Sequence, residues 1–245
     1  MMFDRTKFSL AAIFVLATAM LAVAAESTAV KEQVIAGPAG VQLKVRMEGP
    51  YTADVPLQVV CYFKYTEDGA KRMAGAPVEQ DKRLGGVINS LRTRGEFRSD
   101  ELETLLIRPP SGAIKAKALQ LIGLGDERQL SLDTMEQVGR VALREAKELG
   151  ASKVAFAPLL RDQGNTSLGV GAVETAVVRG LLTAYDTEKR LEAERLSDKY
   201  TLHEWWVEAD PAYFDETVDG VKAAIKQAAA TTAKRSAAKY RTISK

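Results

Sequence analysis

The sequence predicts an α/β domain whose sheet is at least partly parallel, and three stretches carry that prediction. Gln42 to Met47 alternates polar and apolar residues, the period of a strand with one buried face, whereas Leu57 to Phe63 is a nearly continuous apolar run, as a strand covered on both faces requires. Leu132, Met135, Val138, Val141, Ala142 and Leu149 then recur along one side of a helix. Strands alternating with helices imply crossover connections and parallel pairing.

The chain opens on a segment that reads as a signal peptide, residues 1–25. Arg5 and Lys7 precede an apolar run from Phe8 to Val23, and Ala22-Val23-Ala24 supplies the small-x-small pattern of a cleavage site. That run is shorter than the roughly 20 residues that span a bilayer, so export with cleavage near Ala25 or Glu26, to the periplasm or medium, is expected, with no stable membrane span afterwards. A polar lead, residues 26–40, follows, and a single domain is expected over residues 41–230.

Within it, Met73 to Leu91 reads as helical, with Leu84, Val87, Ile88 and Leu91 at spacings of three and four. Thr104 to Ile107 is a third strand, closed by Pro109-Pro110, which cannot donate ladder hydrogen bonds. A fourth runs from Ala118 to Ile122. Ser131 caps the next helix, Asp133 favours its first turn and Gly150 stops it. Lys153 to Pro158 reads as a fifth strand, followed by a glycine-rich loop and a second strong helix from Ala172 to Tyr185. A charged connector, Asp186 to Lys199, leads to a last strand, Tyr200 to Glu208, and Asp210-Pro211 opens a final helix. Residues 231–245 form a basic, alanine-rich tail.

Composition excludes several functions. The chain has 34 Lys and Arg against 32 Asp and Glu, a net charge of +2, which argues against a general nucleic-acid binder. From Gly220 onward there is no acidic residue, while Lys222, Lys226, Lys234, Arg235, Lys239, Arg241 and Lys245 remain, the composition of a solvated helix end or of a segment seeking an acidic surface. Cys61 is the single cysteine, so no intrachain disulfide can form, and its apolar setting predicts a buried, inert thiol. His203 is the single histidine, which rules out Cys/His zinc sites by count and leaves no Ser-His-Asp or Cys-His set. Trp205 and Trp206 are adjacent in a strand and must face opposite sides, one toward the core and one covering a helix or partner.

The ordered pieces Asp81-Lys-Arg-Leu-Gly-Gly-Val-Ile-Asn-Ser-Leu, Arg94-Gly-Glu-Phe-Arg, Glu103-Thr-Leu-Leu-Ile and Ala118-Leu-Gln-Leu-Ile-Gly-Leu-Gly-Asp-Glu-Arg resemble the N-terminal, macro-like domain of the leucine aminopeptidase family. Val178-Arg-Gly-Leu-Leu-Thr-Ala-Tyr-Asp-Thr-Glu-Lys-Arg extends the resemblance, which covers roughly Gln42 to Ala209. It implies a macro-domain-like mixed sheet flanked by helices. The metal-binding motifs of that family's catalytic half, containing Asp-Ser-Gly-Gly and Asn-Thr-Asp, do not occur here; Asn165-Thr-Ser is the nearest fragment. A two-metal mechanism needs those oxygen ligands. The resemblance therefore implies a non-catalytic binding or assembly module, without cofactor or metal, that self-associates or joins a separate peptidase.

One loop carries an alternative. Arg161-Asp-Gln-Gly-Asn-Thr-Ser-Leu-Gly-Val-Gly follows a strand and enters a helix N-terminus, where macro domains hold a diphosphate on backbone amides. Gly164, Asn165, Thr166, Ser167, Gly169 and Gly171, with Gly123 and Gly125 at the end of another strand, are the candidate ligand-binding residues for a small phosphorylated, nucleotide-like ligand. The competing reading makes these glycines a tight connection only, and the aspartate that would hold adenine in a macro domain is not identifiable.

Overall fold

The computed structural model describes residues 30–240. The expected signal peptide, the start of the polar lead and the last five residues of the tail lie outside that range. Seven strands form one mixed sheet in the order β1-β2-β7-β6-β3-β5-β4: β1 (Glu32–Ala36), β2 (Gln42–Arg46), β3 (Leu57–Tyr62), β4 (Thr104–Ile107), β5 (Ala118–Gly123), β6 (Lys153–Ala157) and β7 (Glu204–Glu208). The five inner strands are mutually parallel, and the edge strands β1 and β4 pair antiparallel with β2 and β5. All six residues of β3 and all six of β5 are buried, as strands with helices on both faces must be.

Helices α4 (Leu132–Glu148), α5 (Val170–Ala193) and α6 (Phe214–Thr232) cover one face, with Met135, Val138, Leu143, Val177 and Leu181 packed on Leu43, Val59, Cys61 and Trp205. On the other face α2 (Ala76–Arg83) and α3 (Val87–Thr93) bring Leu84 and Ile88 against Val60, Tyr62, Leu121 and Trp206. The tryptophans divide between the faces as strand alternation demands. Trp205 stacks on Phe156, and Trp206 is covered by the Arg46 guanidinium, 4.0 Å from its ring, while its indole N–H donates to Glu204 at 2.7 Å. Among the described residues no helix is long and apolar enough to cross a membrane.

Ser131 caps α4, accepting from the Thr134 amide at 3.1 Å. Several expectations change. The stretch from Met73 to Leu91 is two helices, because Gly85 and Gly86 take φ of +70° and +82° and the Asp81 carboxylate accepts from the Ile88 amide at 2.8 Å, restarting the chain as α3. The charged connector after Tyr185 continues α5 to Ala193, since Arg190 pairs with Asp186 and Lys189 with Glu192 along the helix, and Lys147 of α4 reaches Glu188 at 2.6 Å. The polar lead contains β1, hidden in the sequence because its Val34 faces solvent at this edge. A short exposed helix, α1 (Glu67–Arg72), also escaped the periodicity, and β7 begins only at Glu204; Tyr200 turns aside to donate its hydroxyl to the Ala151 carbonyl at 2.7 Å.

Helix α5 touches both neighbours at backbone distance. A Cβ added to Gly139 of α4 would stand 2.0 Å from the Val177 carbonyl oxygen; at Gly180 of α5 it would stand 2.0 Å from that of Glu136, and at Gly220 of α6 2.5 Å from that of Gly171. Gly139→Ala and Gly180→Ala are each expected to lower stability by about 1 to 3 kcal/mol through overpacking, although alanine is worth up to about 1 kcal/mol more than glycine in a helix. Urea unfolding checks this; a gain in stability at either position would contradict the close crossing.

Candidate functional site

The carboxyl ends of parallel strands are where open α/β sheets leave a crevice, because the chain turns away there into helices on opposite faces. Here the ends of β6 and β7, the residues just after β2, the loop into α5 and the segment from Asp210 to Thr217 enclose a cavity of about 410 Å³. Its apolar wall comprises Met47, Ala157, Pro158, Leu159, Leu160, Leu168, Val170, Val173 and Tyr213. Its charged lining is one-sided, with Glu48, Asp162, Glu174, Glu208 and Asp210 against the single cation Arg161.

Side chains fix the loop that walls this cavity. Gln163, 3 % exposed, accepts from the Phe63 amide at 3.0 Å and donates to the carbonyls of Cys61 and Leu159, both at 3.0 Å, which ties the loop to the end of β3. Arg161 donates to the Asn165 carbonyl at 2.8 Å and the Leu168 carbonyl at 2.6 Å, which holds the loop. Leu159 lies buried on the wall at φ of +55°, a conformation that costs a leucine on the order of 1 kcal/mol.

The carboxyls set the electrostatics. Glu174, in the first turns of α5, is 1 % exposed, and its Oε2 has no hydrogen-bond partner. Burial pushes its pKa up to about 8. At Glu208 both carboxyl oxygens are sealed from solvent without a well-formed hydrogen bond. Burial raises this group well above the carboxylate range; Gln58 opposes the shift, Glu48 adds to it and Arg46 opposes it. Burial also raises Asp162, against the Ala76 amide that donates to it at 3.3 Å. At Glu174 the neutral acid is therefore the favoured form at pH 7. Among the described residues no group of three or more His, Cys, Asp or Glu side chains is placed to hold a metal ion.

None of the eight sequence-predicted residues lines the cavity. Gly164, Asn165, Thr166, Ser167, Gly169 and Gly171 do come together before α5, but their polar groups are engaged internally. Asn165 Oδ1 accepts from the Ser167 amide and hydroxyl at 3.1 and 2.8 Å, and its Nδ2 donates to the Glu127 carbonyl at 3.3 Å. Gly169 caps α5, and the Gly171 amide donates to the Glu216 carboxylate of α6 at 2.8 Å. A carboxylate of the protein thus occupies the helix N-terminus where an external anion would bind. Gly123 and Gly125 stand apart, at the end of β5, where a Cβ on Gly123 would lie 2.0 Å from the Asp100 carbonyl oxygen. Thr166 is exposed and His203 is exposed before β7, while burial raises the Cys61 thiol, with Glu174 adding to the shift.

Glu174 and Glu208 escaped the sequence reading. The available signal was Glu174 at three, four and seven residues before Val177, Val178 and Leu181, a carboxylate on the buried stripe of a helix.

Residues 59–190 match the N-terminal domain of the cytosol aminopeptidase family. Among curated proteins, a probable cytosol aminopeptidase of Alkaliphilus oremlandii is 31% identical over 140 residues, covering 56% of this chain and 28% of that protein. One from a Sulfurihydrogenibium species is 29% identical over 119 residues, covering 49% and 23%. The chain therefore spans about a quarter of the length of these relatives. Among solved structures, a mutant of tomato leucine aminopeptidase aligns with a TM-score of 0.57 at 16% identity, over 82% of this chain and 38% of that one. The Oceanobacillus iheyensis macrodomain with ADP aligns with a TM-score of 0.56 at 9% identity, over 81% and 98%. These likenesses establish the macro-domain-like fold.

Glu174 carries a pH dependence. Its folded pKa, about 8, lies above the unfolded value near 4.5, so the folded state binds the proton more tightly and its contribution is complete below about pH 4.5. Stability is lost as pH rises from there through about 8. Glu174→Gln, which keeps the shape without the charge, is expected to gain on the wild type by up to about 1.4 kcal/mol per pH unit across that window. Chemical denaturation at pH 5 and 8 measures the difference; parallel stabilities at both would contradict the buried acid.

Proposed function

We propose, from the premise that the chain belongs to the cytosol aminopeptidase family through its N-terminal domain, that it is an exported, non-catalytic binding or assembly module whose ligand enters the cavity at the strand ends. The cavity carries the reading. It combines an apolar wall with polar groups of which Glu174 is fully buried, a composition compatible with small-molecule sites, and its volume is within the usual range of about 300 to 1,000 Å³. A non-catalytic role is supported by the chemistry of the remaining candidates, since His203 is exposed away from the cavity and the Cys61 thiol is buried and held protonated.

The alternative, a macro-like domain that binds a nucleotide or phosphate as sensor or enzyme, is weakened by two observations. Five carboxyl side chains line the cavity against one arginine, and Glu216 already takes the Gly171 amide. Association with a peptidase, as an accessory subunit, or with further copies of the chain is the corresponding proposal for partners. It is supported by relatives in which the matched segment is part of a much longer protein. Export to the periplasm or medium is supported by Lys7, the apolar run from Phe8 to Val23 and the Ala22-Val23-Ala24 pattern.

Three measurements test this reading. Amino-terminal sequencing of the protein recovered from cells is expected to start near Ala25 or Glu26, and a retained Met1 would contradict cleavage. Purified protein with manganese or zinc is expected to leave leucine amides intact, and turnover that survives removal of contaminating peptidases would overturn the non-catalytic role. ADP-ribose and inorganic phosphate are expected to leave the melting temperature unchanged, because a ligand raises it only by binding the folded state. A shift with ADP-ribose that is lost in Gly171→Val would favour the nucleotide-binding alternative.

A further inference from the structure

The geometry points to a small organic cation, a primary ammonium on an apolar body, as the ligand of the cavity, with the Glu174 carboxyl as its counter-charge and the Glu208 carboxyl, still protonated, as a further hydrogen-bond acceptor. This rests on the reading of the cavity as a binding site and adds the chemical class. Three observations carry it. Glu174 Oε2 has no hydrogen-bond partner and the two Glu208 oxygens no well-formed one, both residues line the cavity, and a buried acceptor left unpaired is costly unless a donor arrives. An ammonium brings three donors and the matching charge.

Among the described residues Arg161 is the one basic residue on the lining; its guanidinium donates to the Asn165 and Leu168 carbonyls of the loop and makes no hydrogen bond or ion pair with Glu174 or Glu208. Finally, the carboxyls are distributed around an organic-sized, mostly apolar volume. Among the described residues they form no group of three that could hold a metal ion, so a bare divalent cation would find too few oxygens at once.

Binding of this kind is coupled to protons. In the empty protein Glu174 holds a proton at pH 7, since burial raises its pKa to about 8, and to pair with an ammonium it must release it. The charged and titratable groups around it are Glu48, Arg161, Asp162, Glu208 and Asp210 on the cavity and the Cys61 thiol beneath. Apart from Arg161, already committed to the loop, these are anionic or neutral, so none replaces the ligand as a partner for the ionised carboxylate.

The test is calorimetric titration of the mature protein with n-hexylamine, 1-hexanol, hexanoate and zinc chloride at pH 7, in two buffers of unlike ionisation enthalpy. Hexylamine is expected to saturate one site with close to one proton released per ligand, to bind at least tenfold more tightly than hexanol, and to outcompete zinc; hexanoate is expected not to bind. Glu174→Gln should weaken hexylamine at least tenfold and abolish the proton release while leaving hexanol unchanged, with circular dichroism confirming the fold; Glu208→Gln should weaken the amine likewise. Hexanol binding as tightly as the amine, with both lost in Leu168→Trp, would overturn the cation and leave the cavity reading standing. Zinc displacing the amine would overturn the organic class. If neither hexylamine nor hexanol binds, the cavity reading falls with the proposal.

Discussion

The close crossing of α5 with its two neighbours is the constraint on which the rest of the structure depends. Gly139 and Gly180 let α4 and α5 meet carbonyl to Cα, and Gly220 does the same between α6 and the start of α5 at Gly171. The Thr175 hydroxyl donates in this second crossing, within reach of the Gly171 carbonyl at 2.7 Å and the Gly220 carbonyl at 3.0 Å. Such contacts give α5 one position along and around its axis, because side chains can repack but backbone atoms cannot interpenetrate. That position carries Glu174 inward, over the end of the sheet, and sets the Gly171 amide against Glu216.

Placing a carboxyl there is a net cost to the fold. Glu174 and Glu208 lose their hydration and gain no complete set of hydrogen bonds, which is why both titrate high. Core burial elsewhere offsets this, each leucine or valine of the α4 and α5 stripes contributing about 1.5 to 3 kcal/mol. Some polar residues of the scaffold are well paired, among them Gln163 and Glu136, whose carboxylate faces both Arg140 and Arg179. Unpaired buried polar atoms also occur in the scaffold, at Gln58, Ser99, Gln120 and Trp205 among others; on the cavity lining they are carboxyl oxygens, and that is the physical basis for assigning the cavity a ligand.

The fold was legible in the sequence wherever burial imposes a period. β3, β5 and α4 follow from apolar runs and from the Ser131 cap, and the ordered motifs from Asp81 to Arg128 pointed to the family that residues 59–190 match. β1 was not legible because an edge strand needs only half its residues buried, and Val34, at 52 % exposed, breaks the pattern. The end of α5 was not legible because its last turns are held by ion pairs, a signal shared with loops. The glycine-rich loop drew attention to the mouth of α5, but its amides are used by Glu216 and Asn165; the neighbouring carboxyls were visible only as one charge on an apolar stripe.

The central claim is that the cavity holds a protonated, unpaired Glu174 awaiting a cationic partner. Carbon-13 titration of the Glu174 side-chain carboxyl in the ligand-free protein tests it most directly. The structure predicts a midpoint at about 8, displaced downward when n-hexylamine saturates the site. A midpoint in the ordinary carboxylate range, unmoved by the amine, would contradict it.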